Sequence, residues 1–91
     1  MQVPVELKRK YLDRKILDIE ILMSSLEQND FGPAAKLGHQ VKGNALTFDF
    51  PQMAPLGIQI ETAAKNKDVE SLKMLIKKMD SEIQIARLKF H

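Results

Sequence analysis

Leu12, Ile16, Ile19, Met23 and Leu26 recur at alternating intervals of four and three residues. Leu72, Ile76, Met79, Ile83, Ala86 and Phe90 do the same near the other end of the chain. That spacing returns to one side of an α-helix every two turns and is the seam of a helix packed in a bundle. A half-buried strand would instead alternate every second residue, and no segment does so. The chain is therefore expected to be all-α.

Two further amphipathic segments lie between the seams. The first helix begins just after Val3-Pro4 and runs to about Leu26, with Tyr11, Leu22 and Leu7 widening its apolar stripe. A helix of about 20 residues is roughly 30 Å long, which sets the height of the domain. Asp30 is the expected N-cap of the second helix, since its carboxylate can accept unpaired first-turn amides. That helix buries Ala34, Leu37, Val41, Ala45 and Phe48 and ends near Asp49, because Phe50 precedes Pro51 and is pushed out of the α region. An irregular turn is expected over Pro51–Ala54. The third helix runs from about Pro55, with Met53, Leu56, Ile60 and Ala63 or Ala64 on one face, to a left-handed stop at Asn66. Asp68 caps the fourth. Four helices with short connections predict an up-down antiparallel four-helix bundle spanning residues 1–91 as one domain.

Size and composition narrow the function. A 91-residue chain buries roughly 60–65% of its unfolded surface, enough for a small helical core without a substrate-enclosing second domain. Only 5% of residues are aromatic and none is Trp, so Leu, Ile, Met and Ala fill the core, with Met23, Met53, Met74 and Met79 as filler. Fourteen basic against twelve acidic side chains is too balanced for a nucleic-acid binder, which concentrates Lys and Arg in a stripe. There is no cysteine, hence no disulfide or thiolate metal site. Only His39 and His91 are histidines, and His39 has Lys42 rather than a ligand at helical spacing, so no metal site is expected. No apolar run approaches the roughly 20 residues that span a bilayer, and Met1–Glu6 lacks a signal-peptide core. A cytoplasmic monomer without a cofactor, touching neither membrane nor nucleic acid, is the expectation.

One stretch carries chemistry: His39-Gln40-Val41-Lys42-Gly43. On a helix, residues three and four apart are neighbours, so Lys42 and Gly43 flank His39. Leu37 and Val41, two positions away, project about 200° from it. The imidazole thus faces solvent beside a cation and a missing side chain. An imidazole with an ordinary pKa of about 6.5 is a nucleophile near neutrality. Attack on a phosphoryl donor gives an N–P bond, with Lys42 balancing the arriving charge. Gly43 would cost about 1 kcal/mol in a helix interior relative to Ala and leaves room for a partner to approach. Glu61, on the boundary of the third helix, is a candidate to accept a hydrogen bond from Nδ1–H and leave Nε2 outward; it is equally readable as an ordinary surface carboxylate.

The run Leu37-Gly38-His39-Gln40-Val41-Lys42-Gly43 through Phe48-Asp49-Phe50-Pro51, with Leu56 and Glu61 following, resembles the histidine phosphotransfer (HPt) domain, whose signature is H-x-x-K-G. It is similar in particular to the phosphotransfer domain of chemotaxis histidine kinases, and the resemblance spans roughly Pro4 to Ile83. It implies that His39 is the phosphoacceptor, Lys42 its charge partner, Gly43 an open docking spot with Lys36 on the same surface, and Glu61 the acidic residue assisting the histidine. The implied partners are a receiver domain with a phosphorylatable aspartate, a histidine kinase, or both, the partner supplying the metal ion and catalytic machinery. The chain departs from the pattern at Asp49, where glycine usually ends the helix; Asp tolerates the left-handed conformation better than most residues.

A second reading stays open: an interaction domain that uses the same bundle without ever carrying phosphate. Lys65, Lys67, Lys73, Lys77 and Lys78 read as a solvated basic face, with recognition of an acidic partner as a further role open to it.

Overall fold

A computed structural model describes residues 3–90. Met1 and His91, on which the signal-peptide and second-histidine readings touch, lie outside the described residues. The helices are α1 (Val5–Glu27), α2 (Gly32–Asn44), α3 (Ala54–Lys65) and α4 (Val69–Leu88), with a single 3₁₀ turn at Pro51–Met53 leading into α3. They form an all-α up-down bundle in which α1 and α3 each lie against both α2 and α4. The bundle measures 38 × 21 × 17 Å, and its long dimension matches the roughly 35 Å of a 23-residue helix.

The core is built from the expected faces. Leu12, Leu22, Val41, Met53, Ile60, Leu72, Met79 and Ile83 are the largest fully buried side chains. Burying such a side chain is worth about 1.5–3 kcal/mol, so these positions dominate the folding drive. Pro55 falls in the first turn of α3, where its missing N–H breaks no helical bond.

Several expectations shift. Met23, expected on the α1 seam, and Leu7, expected to widen it, are exposed; Tyr11 and Leu22 are buried as expected, and Lys15 is buried with them. At about 100° per residue, the buried stripe of α1 is centred on the Ile19–Leu22 side, which leaves Met23 at its edge. Lys15 is buried through its aliphatic stem. Its ammonium bonds Asp18 at 3.1 Å and stands 5.2 Å from the centre of the Tyr11 ring. Met53 and Met79 fill the core, but Met74 is exposed. Phe31, not Asp30, occupies the N-cap position of α2; Asp30 instead accepts from the Gly32 amide at 3.1 Å.

Helix endings follow one device. Asn29, Asp49 and Lys67 have positive φ of 59°, 68° and 54°. In each case the next amide reaches back to a carbonyl five residues earlier: Asp30 to Ser25, Phe50 to Ala45 and Asp68 to Ala63. This closes the exposed carbonyls of the last turn. The regular part of α2 ends at Asn44, but the chain continues in helical turns to the left-handed Asp49, the position expected for glycine. Asn66 is right-handed, with φ −88°, so the stop of α3 falls one residue later, at Lys67. Asp68 caps α4, accepting from the Ser71 amide at 3.1 Å and the Ser71 hydroxyl at 2.6 Å. Both bonds favour its ionised form and hold its carboxyl below the usual range.

Candidate functional site

α2 turns Leu37, Gly38 and Val41 into the bundle and His39 outward. The His39 side chain is 69% exposed. Across from it, Glu61 on α3 is only 12% exposed and bridges two residues of α2. Its Oε2 lies 2.9 Å from His39 Nδ1, and its Oε1 accepts from Lys42 Nζ at 3.0 Å. Those bonds, Lys42 first and His39 after it, hold the Glu61 carboxyl below the usual carboxylate range against the opposing effect of partial desolvation; Lys42 and Lys65 add through-space attraction. Glu61 is therefore ionised at neutral pH and can only accept. Nδ1 must carry the proton in this bond. In the neutral ring this tautomer puts the lone pair on Nε2.

The residues singled out in the sequence thus come together, with one change of arrangement. Lys42, expected to serve as the charge partner of His39, bonds Glu61 instead, so the carboxylate sits between the two. A Cβ added at Gly43 would meet nothing within 4 Å, so the surface beside His39 is open. Lys36, one turn before His39, is exposed and forms no ion pair among the described residues. Among the described residues, no three His, Cys, Asp or Glu side chains converge in a way that could hold a metal ion. No described helix is long and apolar enough to cross a membrane.

What brings Glu61 within reach is a pair of glycines. A Cβ on Gly38 would lie 2.5 Å from the Glu61 amide nitrogen and 2.7 Å from the Gly57 carbonyl oxygen; one on Gly57 would lie 2.7 Å from the Lys42 nitrogen. Real Cβ atoms do not approach so closely, so α2 and α3 touch backbone to backbone here. At the far end of α2, the Tyr11 hydroxyl donates to Asn44 Oδ1 at 2.7 Å, and its ring stacks on Phe48 and Phe50 with centroids 4.5 and 5.7 Å away. Burial, with Asp18 adding repulsion, pushes the Tyr11 phenol up to about 12. Sequence reasoning missed Gly38, Gly57 and Asn44. A signal was present for the glycines: each falls on the inward face of its helix, three residues before Val41 and Ile60 respectively.

The Hpt domain family model matches residues 6–88. The chain belongs to the Hpt domain family. As an Hpt domain it is a phosphotransfer module of two-component signalling, a class whose partners are response-regulator receiver domains and kinase domains. No curated protein and no solved structure matches the chain.

Proposed function

We propose that His39 is the phosphoacceptor of this Hpt domain and that the phosphoryl group passes between its Nε2 and an aspartate of a receiver domain. In the forward step the Nε2 lone pair attacks phosphorus of the partner's aspartyl phosphate. The P–O bond to the acyl oxygen breaks and its electrons leave with the partner's carboxylate. Nδ1 keeps its proton, so the phosphorylated ring carries a positive charge. Glu61, already hydrogen-bonded to Nδ1, is placed to balance that charge as it develops, which is where a fixed counter-charge lowers the barrier. Lys42 holds the second Glu61 oxygen and keeps the carboxylate from rotating off the ring. The reverse step returns the group by the same geometry. Gly43 leaves the approach free of this domain's own side chains, and Lys36 extends the docking surface.

The observation that carries this reading is the His39 ring, 69% exposed with Nδ1 occupied by Glu61. Incubation with a phosphorylated receiver or an active histidine kinase should give an acid-labile, base-stable label. ³¹P–¹⁵N correlation should place it on Nε2, and His39→Gln should abolish it. Label on Nδ1, or label retained in His39→Gln, would refute the assignment. No label from any receiver or kinase favours the interaction-domain reading.

A further inference from the structure

Lys42 is the cation that the H-x-x-K-G pattern sets beside His39, yet its ammonium is held by Glu61 Oε1 at 3.0 Å. Before transfer the ionised Glu61 and Lys42 cancel, and the His39 ring is neutral. After transfer the ring carries about one positive charge and the phosphoryl group about two negative ones. About one negative charge is then left over, spread on oxygens bonded through Nε2.

The covalent structure of imidazole says on which side those oxygens lie. Nδ1 and Nε2 stand on opposite sides of the Cβ–Cγ axis. With Nδ1 turned to Glu61 on α3, the Nε2 edge faces away from α3. Viewed down α2 at about 100° per residue, Gly38 lies about 100° to one side of His39, and Gly38 is the residue that touches α3. Lys42 lies about 60° to that same side, which is why Glu61 can hold it. Lys65, one turn after Glu61 on α3, belongs to the Nδ1 side as well.

Lys36 lies about 60° to the other side. It precedes His39 by three residues, a spacing that sets Cβ atoms about 5–6 Å apart. Gly43, about 40° to the same side, leaves the space there open, since a Cβ on it would meet nothing within 4 Å. Lys36 is exposed and forms no ion pair among the described residues. It borders a hollow of about 160 Å³ between α1 and α2, in which Asp18 is the one carboxylate. Asp18 already takes Arg14 at 3.2 Å and Lys15 at 3.1 Å, so the Lys36 ammonium is left for another anion.

We propose that Lys36, rather than Lys42, is the cation that meets the phosphoryl oxygens as they become bonded to His39 Nε2. This rests on His39 being the phosphoacceptor and divides two tasks between the two lysines of α2. Lys42 fixes Glu61 and, through it, Nδ1. Lys36 pairs with charge that reaches its side of the ring only as transfer proceeds, and an interaction gained along the reaction speeds it. A lysine on a flexible stem binds phosphate as a point charge and needs no fixed geometry to do so.

The test uses phosphoramidate as donor, which is too small to need a docking surface. His39 Nε2 attacks phosphorus, the P–N bond breaks, and ammonia leaves with the bonding pair. At low salt the labelling rate should fall about threefold in Lys36→Met, the scale of an exposed ion pair. In the labelled domain, ³¹P NMR should show the phosphoryl group of Lys36→Met taking up its proton at higher pH, because a nearby cation favours the dianion. Both differences should shrink at about 1 M salt, where screening acts within about 3 Å, and Lys36→Arg should restore both. Lys42→Met should move the ³¹P titration less than Lys36→Met does. Circular dichroism checks the fold of each variant. An unchanged rate and titration in Lys36→Met, a loss that salt does not reduce, or a larger shift in Lys42→Met overturns the proposal. Failure of phosphoramidate to label His39 in the unsubstituted domain overturns the phosphoacceptor assignment itself, and this proposal with it.

Discussion

Replacing Gly38 with alanine sets one methyl carbon against three backbone atoms of α3. It would stand 2.5 Å from the Glu61 nitrogen, 2.7 Å from the Gly57 oxygen and 2.9 Å from the Glu61 Cα. Contact becomes ordinary at 3.4 Å, so relieving the shortest approach from 2.5 to 3.4 Å requires α3 to retreat by about 0.9 Å, with no flexible side chain to yield in its place. Overpacking of this kind costs about 1–3 kcal/mol, while alanine gains about 1 kcal/mol of helix propensity over glycine. The net effect of Gly38→Ala is a loss of about 0–2 kcal/mol. Gly43→Ala, five residues along the same helix with nothing within 4 Å, receives the propensity gain alone. Propensity cancels between the two variants, and the difference of about 1–3 kcal/mol isolates the overlap. Urea unfolding followed by circular dichroism resolves it, and in a thermal melt each kcal/mol is about 4–8 °C for a domain this small. Because the clash falls on the backbone of Glu61 itself, the same retreat also stretches the 2.9 Å His39–Glu61 bond, so phosphotransfer should slow in Gly38→Ala relative to the unsubstituted domain. Equal stability of the two alanine variants would refute the backbone-contact argument; an unchanged transfer rate in Gly38→Ala would detach that contact from the site.

Glu61→Gln keeps the shape and removes the charge; the fold should persist while transfer slows by about a hundredfold or more, and a single-turnover rate near that of the unmodified domain would remove Glu61 from the mechanism. The Glu61 carboxyl, followed by ¹³C NMR, should titrate below its ordinary value of 4.5 and move up toward it in Lys42→Ala, since Lys42 is the larger cause. A lowered folded value means that its contribution to stability is present above the ordinary range and drains as pH falls through the lowered one; an unmoved titration in Lys42→Ala would contradict the bridge. Tyr11 is the single tyrosine, so phenolate absorbance reads it alone: its midpoint should lie near 12 rather than 10, with stability complete below the unfolded value and lost as pH rises between the two. Ionisation at 10 with the native circular dichroism intact would show the hydroxyl to be solvated. Asp68→Ala should lower the melting temperature more than Asp68→Asn, because asparagine still caps; identical melts would mean that the α4 cap contributes nothing.

Much of this was written in short-range pattern. Alternating intervals of three and four residues reflect the period of one helix, so α1 to α4, the outward direction of His39 and the open flank at Gly43 follow from positions within a few residues of each other. The same holds for the Asp68 cap, whereas the left-handed Asp49 was expected from the glycine that the resembled family places there. Facts that need two helices at a known separation were not legible. Met23 shares a periodic position with core residues, and only the way α1 is rotated against its neighbours leaves it in water; Met74, two residues from both Leu72 and Ile76, lies off the α4 seam, so the pattern itself turns it outward. Lys15 is buried because Asp18 and the Tyr11 ring receive its charge. Glu61 carried equal claims as a surface carboxylate and as the partner of His39 until α2 and α3 were seen to touch at Gly38 and Gly57. Four helices and an imidazole pointing out of one of them could be read from the residues alone, because helical period is a property of neighbouring residues. Tertiary structure alone decided that Glu61 reaches Nδ1 and that Lys42 holds Glu61 rather than His39, because both depend on how closely two backbones approach across 22 residues of chain.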